Sequence, residues 1–204
     1  MRLRLTSASP FARKVRVTAH ELGIADRIEL VPTVLRPADA DFLAQNPLGR
    51  VPVLETADGE VYVDSHVICE WLDATFGGHR LLPQTGPDRW RALSLAAIAG
   101  GVVEAAMHVR RERARPEGQA DAALVTHALG QVNRALDRLQ HDIAAPALAG
   151  ARGFDHAAIA LACTVGWLIF RFDDKLAFEA RPTLHRWWTG HVLPRPSMQA
   201  TLPA

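Results

Sequence analysis

Apolar and polar positions alternate at the start of the chain, where Arg2-Leu3-Arg4-Leu5 reads as a half-buried strand over residues 2–6. Ser9-Pro10 follows, and then a helical repeat over residues 10–22, with Gly23 just past its end. Residues 28–33 are rich in β-branched side chains and form a second strand. A short helix is expected over 38–45, strands over 51–55 and 60–63, and a helix from Asp64 or Ser65 to residue 75. Asp58-Gly59 between the last two strands is a hairpin signal. The order is βαβαββα. Strands joined through helices pair in parallel, and the hairpin adds an antiparallel edge. The expectation is a mixed four-stranded sheet with helices packed on it.

Glycines and prolines between residues 77 and 87 mark a linker. Beyond it the strand pattern stops. Helical repeats cover 88–113, 121–144, 155–172 and 184–192. The chain thus divides into an α/β domain (1–76), a linker (77–87) and an all-helical domain (88–204).

Charge changes this picture little. The 23 Lys and Arg nearly balance the 22 Asp and Glu, so no general attraction to nucleic acid or anionic membrane is implied. Cys69 and Cys163 are too few and too far apart for a disulfide framework or a structural zinc site, and they read as buried thiols. The 9 histidines show no ligand spacing, and no metal is expected. The N-terminus lacks the apolar core of a signal peptide, and no uninterrupted apolar run reaches about 18 residues. A cytoplasmic protein without a membrane partner is the expectation.

Three short stretches carry candidate chemistry. Ser9-Pro10 places a hydroxyl at a helix N-terminus, where it caps the helix or meets a ligand. Val51-Pro52 puts a proline in a strand, which calls for an edge position or a cis bond. Asp64-Ser65 starts a helix whose free N–H groups and positive dipole end suit a carboxylate.

Taken in order, SPFARKVR, NPLGRVPVLE, DSHVICEWLD and RPTLHRWW…RPSMQATLP resemble the cytosolic glutathione S-transferases over essentially the whole chain, with the nearest likeness to bacterial members and to the omega, zeta and theta-like classes. The resemblance implies a thioredoxin-like first domain, a helical second domain and a homodimer. Glutathione is the implied co-substrate and a small hydrophobic electrophile its partner in the reaction. It implies a cis Val51-Pro52 bond, with the Val51 backbone pairing with the cysteinyl part of glutathione as an added strand would. Asp64 would meet the γ-glutamyl amine and Ser65 its carboxylate. For the glycyl carboxylate no position matches cleanly; Arg36, Gln45 and Arg50 are the candidates, and Arg13 could support the anionic ligand, while Lys14 and Arg16 read as solvated helix charges.

Omega-like members show Cys-Pro-Phe-Ala where this chain has Ser9-Pro10-Phe11-Ala12. Oxygen in place of sulfur forbids a mixed disulfide and points to a hydroxyl that holds the glutathione sulfur ionised. Moving a thiol from about 8.5 to about 6.5 takes roughly 2.7 kcal/mol. A charge-assisted hydrogen bond supplies about 1.5–3 kcal/mol and a helix N-terminus about 0.3–1. Ser7 is the alternative hydroxyl. The electrophile would meet Phe11, Met107, Arg110, Arg111, Trp167 and Phe170, each of which could equally be a core or solvated side chain. The competing readings are a non-catalytic glutathione-binding or scaffold protein and a glutathione-dependent isomerase or lyase.

Overall fold

The computed structural model describes residues 1–150 and 153–203 and divides into two compact units, residues 1–86 with 195–204, and residues 87–194. In the first, β1 (Arg2–Leu5), α1 (Pro10–Glu21), β2 (Glu29–Pro32), α2 (Ala40–Gln45), β3 (Val53–Glu55), β4 (Val61–Val63) and α3 (Ser65–Leu72) follow in the expected order. The sheet order is β2-β1-β3-β4. β1 and β2 are parallel, and the β1–β3 and β3–β4 pairs are antiparallel.

The alternation read from the sequence is the alternation of burial. Leu3 and Leu5 point into the core, while Arg2 turns outward to Glu29 (3.4 Å) and Glu55 (3.5 Å). From α1, Ala12, Val15 and Ala19 meet this core; from α3, Ile68, Cys69 and Leu72 do. Both cysteines are buried and neither is in a disulfide.

The expected helix to residue 75 changes character at its end. After α3 the chain makes a π-helical turn over Asp73–Gly77. Asp73, buried in the core side of that turn, accepts the backbone N–H groups of Leu81 (3.0 Å) and Leu82 (2.7 Å). Any side chain at Gly77 would collide with the Asp73 carboxylate and Leu22, which explains the glycine.

The last ten residues depart from the expected domain division. α10 (Pro196–Gln199) and its flanks group with the first unit. Arg13 on α1 donates to the Met198 carbonyl (3.0 Å) and Thr201 (3.3 Å), and Arg16 to the Ala200 carbonyl (3.1 Å). Arg195 binds Glu21 with both arms of its guanidinium (3.0 and 2.7 Å), and Ser197 donates to the same carboxylate.

The second unit holds α4 (Pro87–Arg113), α5 (Ala122–Leu139), α6 (Ala145–Leu148), α7 (His156–Arg171), α8 (Asp174–Phe178) and α9 (Pro182–Trp187), with π-helical turns over Gln140–Ala144 and Trp188–Val192. α4 packs on α5 and α7. Its Ala92, Ala96, Ala99, Val103 and Ala106 are small enough to let α7 come close, and Thr164 donates to the Ala99 carbonyl (2.9 Å). Asp155 caps α7 by accepting the Ala158 N–H (2.9 Å). No uninterrupted apolar run in α4 reaches about 18 residues, but the helix is long and apolar enough to cross a membrane when a few charges are tolerated. Half of that stretch is buried inside the unit, as in a core helix.

Candidate functional site

Ser9 is built into a turn that leads from β1 to α1. Its N–H reaches the Thr6 carbonyl (3.1 Å), and its side-chain oxygen accepts the Ala12 N–H (3.2 Å) as the cap of α1. Pro10 fills the first helical position, where a missing N–H costs nothing. A hydroxyl also donates, and among the described residues no acceptor lies within reach of the Ser9 proton. Ser9 is half-buried; Ser7, two residues earlier in the turn, is exposed.

The Val51–Pro52 bond is cis, and so is Arg36–Pro37. β3 begins at Val53, so Pro52 stays out of the ladder and the conflict between proline and strand disappears. Among the described residues the Val51 N–H and C=O have no backbone partner. The turn that presents them is held by Asn46, which sequence reasoning missed. Buried, Asn46 donates to the Arg50 carbonyl (2.7 Å) and accepts the Leu48 N–H (3.1 Å). The signal was there in Asn46-Pro47-Leu48-Gly49, because Asn binds nearby backbone in turns and Gly49 takes φ +59°.

Asp64 caps α3, accepting the His66 N–H at 2.7 Å. It does so at φ 70° and ψ 131°, a conformation that costs a non-glycine residue about 1–3 kcal/mol. The carboxylate is exposed and Ser65 is buried beside it. No partner of the Ser65 hydroxyl is seen among the described residues. His66 is half-buried, and burial, helped by the Lys14 charge and opposed by Asp64, lowers its pKa to about 4. Lys14 corrects the sequence reading. Expected as a solvated helix charge, it is 3% exposed in the α1–α3 contact. Burial raises the Cys69 pKa there, with Lys14 and the Thr18 hydroxyl (3.3 Å) opposing.

The cationic candidates separate. Arg36 and Arg50 are exposed and make no ion pair among the described residues. Gln45 has both ends of its amide engaged, by Arg4 (2.6 Å) and Glu55 (3.2 Å). Arg13 is buried and reaches the C-terminal segment. Phe11 is half-buried on the first turn of α1.

In the second unit Met107 is half-buried on α4, and Arg110 and Arg111, one turn on, are exposed. Trp167 is 4% exposed and meets Phe172 edge-on, at 6.0 Å between centroids. Phe170, one turn later on α7, is 39% exposed. Among the described residues no three His, Cys, Asp or Glu side chains converge as metal ligands.

A family model described as glutathione S-transferase, N-terminal domain, matches residues 8–75. The uncharacterized GST-like protein YibF of Escherichia coli (strain K12) is 33% identical over 171 residues, 84% of this chain and 83% of that protein. The chain belongs to the glutathione S-transferase family. A solved glutathione transferase family member from Pseudomonas fluorescens Pf-5, with bound glutathione, superposes with a TM-score of 0.90 at 39% identity, covering 100% of this chain and 98% of that one. A second structure from the same source, with bound S-(propanoic acid)-glutathione, gives 0.87 at 37% identity, covering 100% of both chains.

The glutathione S-transferase N-terminal match contains the candidates Ser9, Phe11, Arg36, Arg50, Val51, Pro52, Asp64 and Ser65 of the first unit, and starts one residue after Ser7. The four-stranded mixed sheet is that of the family's thioredoxin-like domain, and the helices from α4 to α9 correspond to the family's mostly helical second part.

Proposed function

We propose that the chain is a glutathione transferase in which Ser9 donates a hydrogen bond to the glutathione sulfur and holds it as the thiolate. One observation carries the reading: the Ser9 hydroxyl sits at the N-terminus of α1 with its oxygen engaged by Ala12 and its proton unspent. Donor and dipole act together on an anion at that point. The thiolate sulfur then attacks a small hydrophobic electrophile, having lost its proton to solvent. Ser7 is the alternative donor.

In this reading the unpaired Val51 backbone takes the cysteinyl backbone of glutathione. Asp64 takes the γ-glutamyl ammonium and Ser65, at the head of α3, the neighbouring carboxylate. Arg36 or Arg50 meets the glycyl carboxylate. Phe11, Met107, Arg110, Arg111, Trp167 and Phe170 are the candidates to receive the electrophile. Support comes from relatives that hold glutathione and its S-(propanoic acid) conjugate. Two buried cysteines outside any disulfide fit a reducing compartment, and we place the protein in the cytoplasm.

Calorimetric titration with glutathione, run beside a panel of model electrophiles, tests the proposal. Binding with turnover on at least one electrophile is the expected result. Binding without turnover would instead make the chain a glutathione-binding protein, and failure to bind would end the reading altogether.

A further inference from the structure

Three arginines of the helical unit gather where two packed helices end. α4 ends at Arg113 and α7 at Arg171, and the two lie against each other. The Arg171 guanidinium stands 4.3 Å from the centroid of the Phe170 ring, and that of Arg113 stands 5.9 Å from the Phe172 centroid. Arg110 is one turn before Arg113. Among the described residues no carboxylate pairs with any of the three. Nearby acids are committed elsewhere: Glu112 to Arg115 at 3.1 Å, and Asp137 to Arg181 at 2.7 Å.

Helix dipoles favour cations at these ends. Crowding works the other way. The Arg171 pKa is lowered, by burial first and then by the Arg110 charge, so the two guanidinium groups bear on each other. Unpaired arginines beside aromatic faces, Arg171 half-buried and Arg110 and Arg113 exposed, are arranged for an anion with a flat apolar body. The guanidinium fork matches a carboxylate edge to edge, and the rings would be left unused by a bare phosphate. Arg113 and Phe172, though not Arg110, Arg171 or Phe170, also line a neighbouring cavity of about 480 Å³, within the size range of small-molecule sites. Of the acids on that cavity's wall, Asp173 accepts the Leu176 N–H (3.2 Å) and Glu179 makes no ion pair with Arg113.

We infer that Arg110, Arg113 and Arg171 form an anion-recognition site that takes the carboxylate of a small unsaturated or aromatic acid, with Phe170 and Phe172 against its body. The anion site stands on the arginines alone. That the acid is the electrophile rests on the proposed transferase reading and on Arg110 as part of its electrophile site. For an α,β-unsaturated acid the step is a plain addition. The thiolate sulfur bonds to the β-carbon, the π pair moves to the α-carbon, and that carbon takes a proton from water.

Benzoate and benzamide titrated into the full chain without glutathione read the anion site alone. Benzoate is expected to bind at least about tenfold more tightly than benzamide. Arg110→Gln and Arg171→Gln should each remove most of that preference, and Arg134→Gln, an exposed arginine on α5, should keep it. Thermal unfolding of each variant controls for loss of fold. Equal binding of the two probes, no binding of benzoate, or a preference that survives both substitutions overturns the site. A kinetic arm compares glutathione addition to acrylate and to methyl acrylate. The acrylate preference should fall about tenfold in each variant, and a ratio unchanged by both removes the acid from the electrophile role. Absence of any turnover would sink the transferase reading while the benzoate arm still decides the anion site.

Discussion

His66 is held neutral inside the first unit, with a pKa of about 4 set by burial and then by Lys14. The unfolded chain takes up that proton near pH 6.5. Between the two values the unfolded state binds more protons, so stability rises with pH across this window and falls as acid is added. Urea midpoints measured from pH 4 to 7 should therefore climb less steeply in His66→Asn than in the native chain. Identical slopes would place the imidazole in solvent. What the sequence could say about single residues follows the range of the forces involved. Ser9 was legible as a cap because it closes a hydrogen bond three residues away in its own chain segment. Lys14 was misread because its burial comes from α3, some fifty positions on, and a lysine carries no local mark of that. The positive φ of Asp64 was invisible for the same reason, since it is imposed by joining β4 to α3 rather than favoured by aspartate itself.

Among elements, α1 does two things at once. Its first turn presents Ser9, and its later turns hold the C-terminal segment through Arg13, Arg16 and Glu21. Burial tends to raise the Glu21 pKa, but the hydrogen bonds from Arg195 and Ser197 and the neighbouring arginine charges lower it overall. A carboxylate with a depressed pKa contributes stability above its unfolded value, and that contribution is lost as pH falls through the folded one. Glu21→Gln leaves Arg195 without its bidentate partner at neutral pH. The pair is only partly buried, so the cost should be about 1–3 kcal/mol, below the figure for a fully buried pair. Chemical denaturation gives the energy, and faster amide exchange over residues 195–204 locates the change. Unaltered exchange there would show that the clamp does not hold the segment. Strand and helix types were legible from period alone, as Leu3 and Leu5 against Arg2 and Arg4 illustrate. The ends were not: Asp73 stops α3 by capturing the Leu81 and Leu82 N–H groups, a contact set by the loop's return.

At the scale of the whole molecule, nothing local marks the last ten residues as separate from the helical domain, since their partners on α1 stand more than 170 positions away. Two-unit organisation, by contrast, was written in the Gly/Pro-rich stretch and in the change of period after it. Val61 and Val63 on the edge strand β4 and Val67 on α3 remain exposed at 37%, 38% and 50%, and an apolar strand edge is covered in most stable proteins. A second copy is the proposed cover. Sedimentation equilibrium should return twice the chain mass of 22.3 kDa, and Val63→Lys with Val67→Asp should shift it toward the single mass. A monomeric native chain would dispose of the homodimer. The central claim is the role of Ser9, and ultraviolet difference titration of bound glutathione tests it most directly. The thiolate band should titrate near pH 6.5 in the native chain, about two units below free thiol, and move back by at least one unit in Ser9→Ala while glutathione still binds. A thiolate that titrates identically in both proteins would leave Ser9 as the cap of α1 and nothing more.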